Sequence, residues 1–148
     1  MSELKGSCLC GSVHYTIEAE PLLTGLCHCT HCQKLTGSAF SLNLAVPKDS
    51  VTIEGERLTH FDDVGDTGLP VRRYFCGRCG ASIMSESDAI PDVRFIKAGT
   101  LDDPSWLNPT LEIWCETAQP WTRIEAARQL VERAPPPAPS AARPRVEA

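Results

Sequence analysis

Along this chain, apolar and polar residues alternate in short runs instead of recurring at helical spacing. Segments 13–18 (VHYTIE), 40–46 (FSLNLAV) and 51–53 (VTI) carry apolar residues at alternate positions, the pattern of a strand with one buried face. Segments 72–75 (RRYF), 93–97 (VRFIK) and 111–114 (LEIW) show the same β-branched and aromatic bias between turns rich in Gly, Pro and Asp. The pattern predicts a mainly β domain. Helical periodicity is confined to 121–133, where Ile124, Ala127, Leu130 and Val131 share one face, with a further short helical turn expected around 33–36.

A length of 148 residues with 42% hydrophobic content suits one domain with its own core. That domain is expected over 3–133. The remainder, 134–148, reads APPPAPSAARPRVEA, holds five of the twelve prolines and has almost nothing to pack, so a disordered tail is expected there. No apolar run reaches bilayer length and the first residues lack a basic-then-apolar leader pattern, so a cytoplasmic protein without a membrane partner is expected. A net charge of −5 and a pI of 5.3 oppose a phosphate backbone, and no nucleic-acid partner is expected.

A reducing compartment changes how eight cysteines are read, because it disfavours disulfides and favours thiolates held by metal. Seven fall into three groups, Cys8/Cys10, Cys27/Cys29/Cys32 and Cys76/Cys79, while Cys115 stands alone. In Cys76-Gly77-Arg78-Cys79-Gly80 the spacing and glycines suit a knuckle that turns both thiols toward one point. Cys8 and Cys10, two apart, face one side if extended, and with Cys76 and Cys79 they complete a four-thiolate structural zinc shell. Cys27, Cys29 and Cys32 offer three thiols within six residues, leaving a fourth tetrahedral position for water or substrate, as in catalytic zinc. Two zinc ions per chain are therefore expected. His28, His31, His60 or Cys115 are the alternatives that would close the second site; His28 points away from it if the segment is extended, and Cys115 also reads as a small buried hydrophobe.

The combination Gly6-Ser7-Cys8-Leu9-Cys10-Gly11, then Cys27-His28-Cys29-Thr30-His31-Cys32-Gln33-Lys34, resembles the glutathione-dependent formaldehyde-activating enzyme family, to which centromere protein V also belongs. The likeness runs on through Thr36-Gly37-Ser38-Ala39-Phe40, Phe75-Cys76-Gly77-Arg78-Cys79-Gly80, Ala98-Gly99-Thr100-Leu101-Asp102-Asp103-Pro104 and Ile113-Trp114 to Pro120-Trp121. It implies a small β-tent fold of paired antiparallel sheets, structural zinc on Cys8, Cys10, Cys76 and Cys79, and catalytic zinc on Cys27, Cys29 and Cys32. The activity implied is a carbon-sulfur lyase acting on S-(hydroxymethyl)glutathione.

An ion already carrying three anionic sulfurs is a weak Lewis acid, so holding a thiol as thiolate suits it better than activating water. That favours glutathione or a related small thiol adduct as the partner. His31, Lys34, Thr36 and Ser38 are candidate contacts for such a ligand, and His28 or His31 a candidate proton carrier; Lys97 and the Asp102-Asp103-Pro104 turn are expected to serve the fold, and Trp114 and Trp121 the core or a cleft wall. The competing readings are a non-catalytic zinc scaffold that binds another macromolecule, and a site that stores or transfers metal.

Overall fold

In a computed structural model, the structure describes residues 3–122, 129–130 and 132–133. The alternating segments are strands, as their patterning predicts. Leu4–Ser7 (β1), His14–Ile17 (β2) and Val51–Glu54 (β5) form a three-stranded antiparallel sheet in the order β1-β2-β5. A larger sheet contains Leu23–Cys27 (β3), Ser41–Pro47 (β4), Leu58–Val64 (β6), Pro70–Cys76 (β7), Ser82–Ser87 (β8), Val93–Lys97 (β9), Leu111–Ile113 (β10) and Gln129–Leu130 (β11). Its order is β11-β10-β3-β4-β9-β8-β7-β6, antiparallel except where β10 runs parallel to β3 and β11.

The core lies between the two sheets. Period-two geometry sends Leu44 and Val46 of β4, Ile96 of β9 and Met84 of β8 to one face, where they meet Tyr15 and Ile17 of β2 and Val51 of β5. The register Leu44↔Ile96↔Met84 sets them in one row across three strands. The same parity commits Cys27, Ser41, Asn43, Lys97, Ser85 and Arg73 to the opposite face, since Cys27↔Ser41, Asn43↔Lys97 and Ser85↔Arg73 are direct partners. One face of the large sheet therefore builds the core and the other carries the chemistry.

Among the described residues one α-helix, Thr30–Thr36 (α1), follows β3 after two residues and starts three residues earlier than its expected turn. Cys29 caps it in extended conformation, its sulfur accepting the Cys32 amide at 3.2 Å, and Gly37 ends it at φ 63°. At the other end of the chain the structure departs from the helix expected over 121–133. Residues 123–128 lie outside the described residues, but Gln129–Leu130 are extended and pair with β10, which satisfies backbone groups that an edge strand would leave open. The expected tail, 134–148, also lies outside the described residues.

Packing is tight at Gly6 of β1, which lies beside its strand partner Tyr15 and bridges to Leu101 in the segment after β9. A Cβ there would run into the Tyr15 ring and the Thr100 carbonyl oxygen, and the Tyr15 hydroxyl sits 2.8 Å from Thr100 Oγ1. Replacing Gly6 with Ala must push the Tyr15 ring or the backbone after β9 out of place. The variant should lose about 2 kcal/mol or more of unfolding free energy in urea denaturation. Wild-type stability in Gly6→Ala would show that this contact is slack.

Candidate metal centres

Both cysteine groupings expected from spacing are assembled. The sulfurs of Cys8, Cys10, Cys76 and Cys79 lie within 4.8 Å of one another, and so do those of Cys27, Cys29 and Cys32. All eight cysteines are free thiols, and the 3.6 Å from Cys8 Sγ to Cys10 Sγ is far beyond a disulfide bond.

The first cluster ties the small sheet to the large one. Cys76 ends β7, and a knuckle before β8 brings Cys79 back, closed by Gly80 N–H donating to the Cys76 carbonyl at 2.8 Å and by Gly80 at φ 77°. The amides of Arg78 and Cys79 point at Cys76 Sγ, at 3.4 and 3.5 Å. Cys8 and Cys10 converge by a second turn and not by strand alternation. β1 stops at Ser7, Gly11 takes φ 78°, and the Val13 amide donates to Cys8 Sγ at 3.3 Å. Such N–H···S bonds stabilise anionic sulfur. At Cys10 the contacts with the Ser12 side chain and then with its backbone amide bring the thiol down to about 6.

In the second cluster, strand and helix supply the ligands in succession: Cys27 is the last residue of β3, Cys29 the cap of α1, and Cys32 lies in its first turn. Donation from Cys27, then Cys32, holds the Cys29 thiol down at about 2, with the Cys32 amide and the Arg73 charge adding to the effect. The same bonds push Cys27 above the ordinary thiol range, because it is the donor to Cys29. One thiolate is thus favoured before any ion arrives.

None of the alternative fourth ligands joins the three sulfurs. His28, 2% exposed, turns away, and its Nε2 meets Glu112 Oε1 at 2.8 Å across β3 and β10. His31 Nδ1 is 2.7 Å from Asp63 Oδ2, and the same oxygen accepts from Arg73 Nε at 2.8 Å. His60 lies 3.2 Å from Asp62, while Cys115 directs its sulfur at the Glu112 carbonyl. Among the described residues the second cluster thus has three ligands. Thiols in this arrangement fit a soft tetrahedral ion such as zinc and fit an oxygen-seeking ion such as calcium or magnesium poorly.

The other candidate contacts divide. Lys34 is exposed in the last turn of α1, and Ser38 is exposed just beyond it. Thr36 is occupied locally, its hydroxyl donating to the Cys32 carbonyl at 2.8 Å and lying 3.3 Å from the Phe40 carbonyl. Trp121 is 69% exposed and lines no core. Asp103 serves its turn as expected, accepting from the Ser105 amide and hydroxyl. Sequence reasoning passed over Asp63 and Arg73, which orient His31, and Glu112, which orients His28. It also left Lys97 to the fold, although alternation in VRFIK sets Lys97 on the same face as the second cluster.

The sequence profile described as glutathione-dependent formaldehyde-activating enzyme matches residues 3–117. Among curated relatives, proteins of Podospora anserina and Penicillium rubens are each 28% identical to this chain, over 69% and 72% of its length respectively. Both are named "putative glutathione-dependent formaldehyde-activating enzyme", and the chain spans about half of each, 49% and 56%. A crystal structure of a Rhodobacter sphaeroides protein superposes with a TM-score of 0.55 at 22% identity, covering 71% of this chain and 91% of that one. This last likeness concerns the fold.

Asp63 provides a check on the site's electrostatics. Burial pushes its carboxyl up, but the hydrogen bonds from His31 and Arg73 outweigh burial and hold it at about 2. Since the folded value is depressed, the stabilisation is complete above the ordinary carboxylate range and is lost as pH falls toward about 2. Asp63→Asn should therefore cost about 1–2 kcal/mol at pH 7, with the gap to wild type constant from pH 8 to about 5 and narrowing only below about 4. Denaturant titrations across that range test it; a gap that grows with acidity would refute the assignment.

Proposed function

Because this chain belongs to the glutathione-dependent formaldehyde-activating enzyme family, we propose that it acts as a zinc-dependent carbon-sulfur lyase on adducts of glutathione or a related small thiol, such as S-(hydroxymethyl)glutathione. The observation that carries this reading is the unequal build of the two clusters, four thiols at one and three at the other. The four-thiol cluster of Cys8, Cys10, Cys76 and Cys79 is read as structural zinc, since it pins the β1–β2 connection to the β7–β8 knuckle and its metal energy would be folding energy. The three-thiol cluster of Cys27, Cys29 and Cys32 is read as the reactive one.

Zinc bound there would lower the pKa of an entering thiol and keep it as thiolate at neutral pH. Cys27, Cys29 and Cys32 would hold the ion from a strand end and a helix start. In the forward direction that sulfur bonds to the aldehyde carbon, the carbonyl π pair moves to oxygen, and oxygen takes up a proton. The reverse reaction removes that proton, restores the carbonyl and expels the thiolate. His31 is the proposed proton carrier: Asp63 anchors its Nδ1, so Nε2 is the nitrogen left to meet the substrate oxygen. Lys34 and Ser38, exposed at the end of α1, are proposed to contact the ligand's carboxylates, and Thr36 to hold the helix end that presents them.

Purified protein should contain two zinc ions per chain. Cobalt-substituted protein should gain sulfur-to-metal charge-transfer intensity on adding glutathione, and Cys29→Ala should abolish that gain and the turnover of S-(hydroxymethyl)glutathione while leaving the fold intact. Cys79→Ser, in contrast, should lower the melting temperature sharply. A cobalt spectrum that already shows a filled shell and ignores glutathione would favour a zinc scaffold over an enzyme.

A further inference from the structure

Lys97, at the end of β9, is 7% exposed, yet its ammonium meets no carboxylate among the described residues. Its Nζ donates to Ser41 Oγ at 2.7 Å and to Asn43 Oδ1 at 2.8 Å, both neutral. A buried cation is costly unless a counter-charge offsets it. The backbone identifies the counter-charge, for Ser41 is the direct strand partner of Cys27, and Asn43, one pleat along β4, is the partner of Lys97. Lys97 thus reaches across β4 toward the three-thiol cluster. Arg73, a second cation on this face whose charge also bears on Cys29, is paired with Asp63.

From this juxtaposition we infer that Lys97 is a positioning and specificity-determining residue for the second cluster: its buried charge selects an anionic sulfur over a neutral ligand at the fourth coordination position. The inference rests on the reading of that cluster as a three-thiolate metal site. A divalent ion with three thiolates carries one net negative charge, and a fourth thiolate adds another. Without a nearby cation that second charge is repelled in a partly buried site. With Lys97 it is offset, whereas a neutral ligand such as imidazole or water gains nothing from it. Burial pushes the Lys97 ammonium down and the Arg73 charge adds to that push, while the sulfurs of Cys32, Cys27 and Cys29 are the groups that favour its charged form.

The test compares two probes on cobalt-loaded protein whose metal content has been verified: glutathione, and imidazole as the neutral ligand. Two variants remove the charge in different ways. Lys97→Met deletes it, and Asn43→Asp keeps the lysine but places a carboxylate on it at nearly constant volume, so the second variant decides the question where the first fails to fold. Both should weaken glutathione binding by about tenfold or more while changing imidazole binding by less than about twofold. Unchanged glutathione affinity, or equal losses for both probes, would overturn the inference and leave Lys97 as part of the fold. Wild-type protein that binds imidazole but not glutathione would likewise overturn it. A wild-type site that takes neither probe would overturn the three-ligand reading beneath it, and the inference with it.

Discussion

Seven thiols packed into two small volumes form the constraint around which this molecule is arranged. Sulfurs this close cannot all ionise side by side unless a cation shares their charge, and the protein prepares for one with directed backbone amides. The knuckle amides at Cys76, the Val13 amide at Cys8 and the capping amide at Cys29 each offer an N–H to a sulfur. The first cluster then has a mechanical role that the core alone does not fill, because it joins the turn after β1 in the small sheet to the hairpin between β7 and β8 in the large one. Gly6, enclosed by Tyr15 and the Thr100 carbonyl, shows how closely the small sheet packs on the segment after β9.

The second cluster sits on the opposite face of the same sheet. β3 and β4 carry core residues on one side, and on the other they carry Cys27, Ser41 and Asn43, so a one-residue slip of register would exchange the two sets of side chains. Around the three sulfurs the protein supplies oriented polar groups: His28 held by Glu112, His31 by Asp63 and Arg73, Lys97 by Ser41 and Asn43. Each of these links joins elements distant in sequence, which makes the site a product of the whole sheet.

How much was legible in the sequence follows from the range of the interactions. Cysteine spacing is local, so both groupings could be read directly, and so could strands with one wet and one dry face, such as β2 and β5. The missed strands lacked that contrast. β8 is buried at four successive positions, and β6 is an edge strand exposed along most of its length, so neither alternates. β3 is broken in pattern by Gly25 and runs straight into the cysteine cluster. The contacts His31–Asp63, His28–Glu112 and Lys97–Ser41 span 32, 84 and 56 residues, and no local pattern encodes them. The turn at Cys8 and Cys10 was missed for another reason: two residues apart, a strand and a tight turn can bring the same pair together.

The central claim is that the two clusters differ in completeness, one shell closed by the chain and the other left with a position for a thiol. Zinc-edge X-ray absorption on the metal-loaded protein tests this most directly, since it counts sulfur and light-atom neighbours without relying on turnover. The account predicts one oxygen or nitrogen neighbour among the two combined four-coordinate shells in the absence of thiol, replaced by sulfur when glutathione is added. Two shells with a mixed sulfur and nitrogen composition that glutathione leaves unchanged would contradict it.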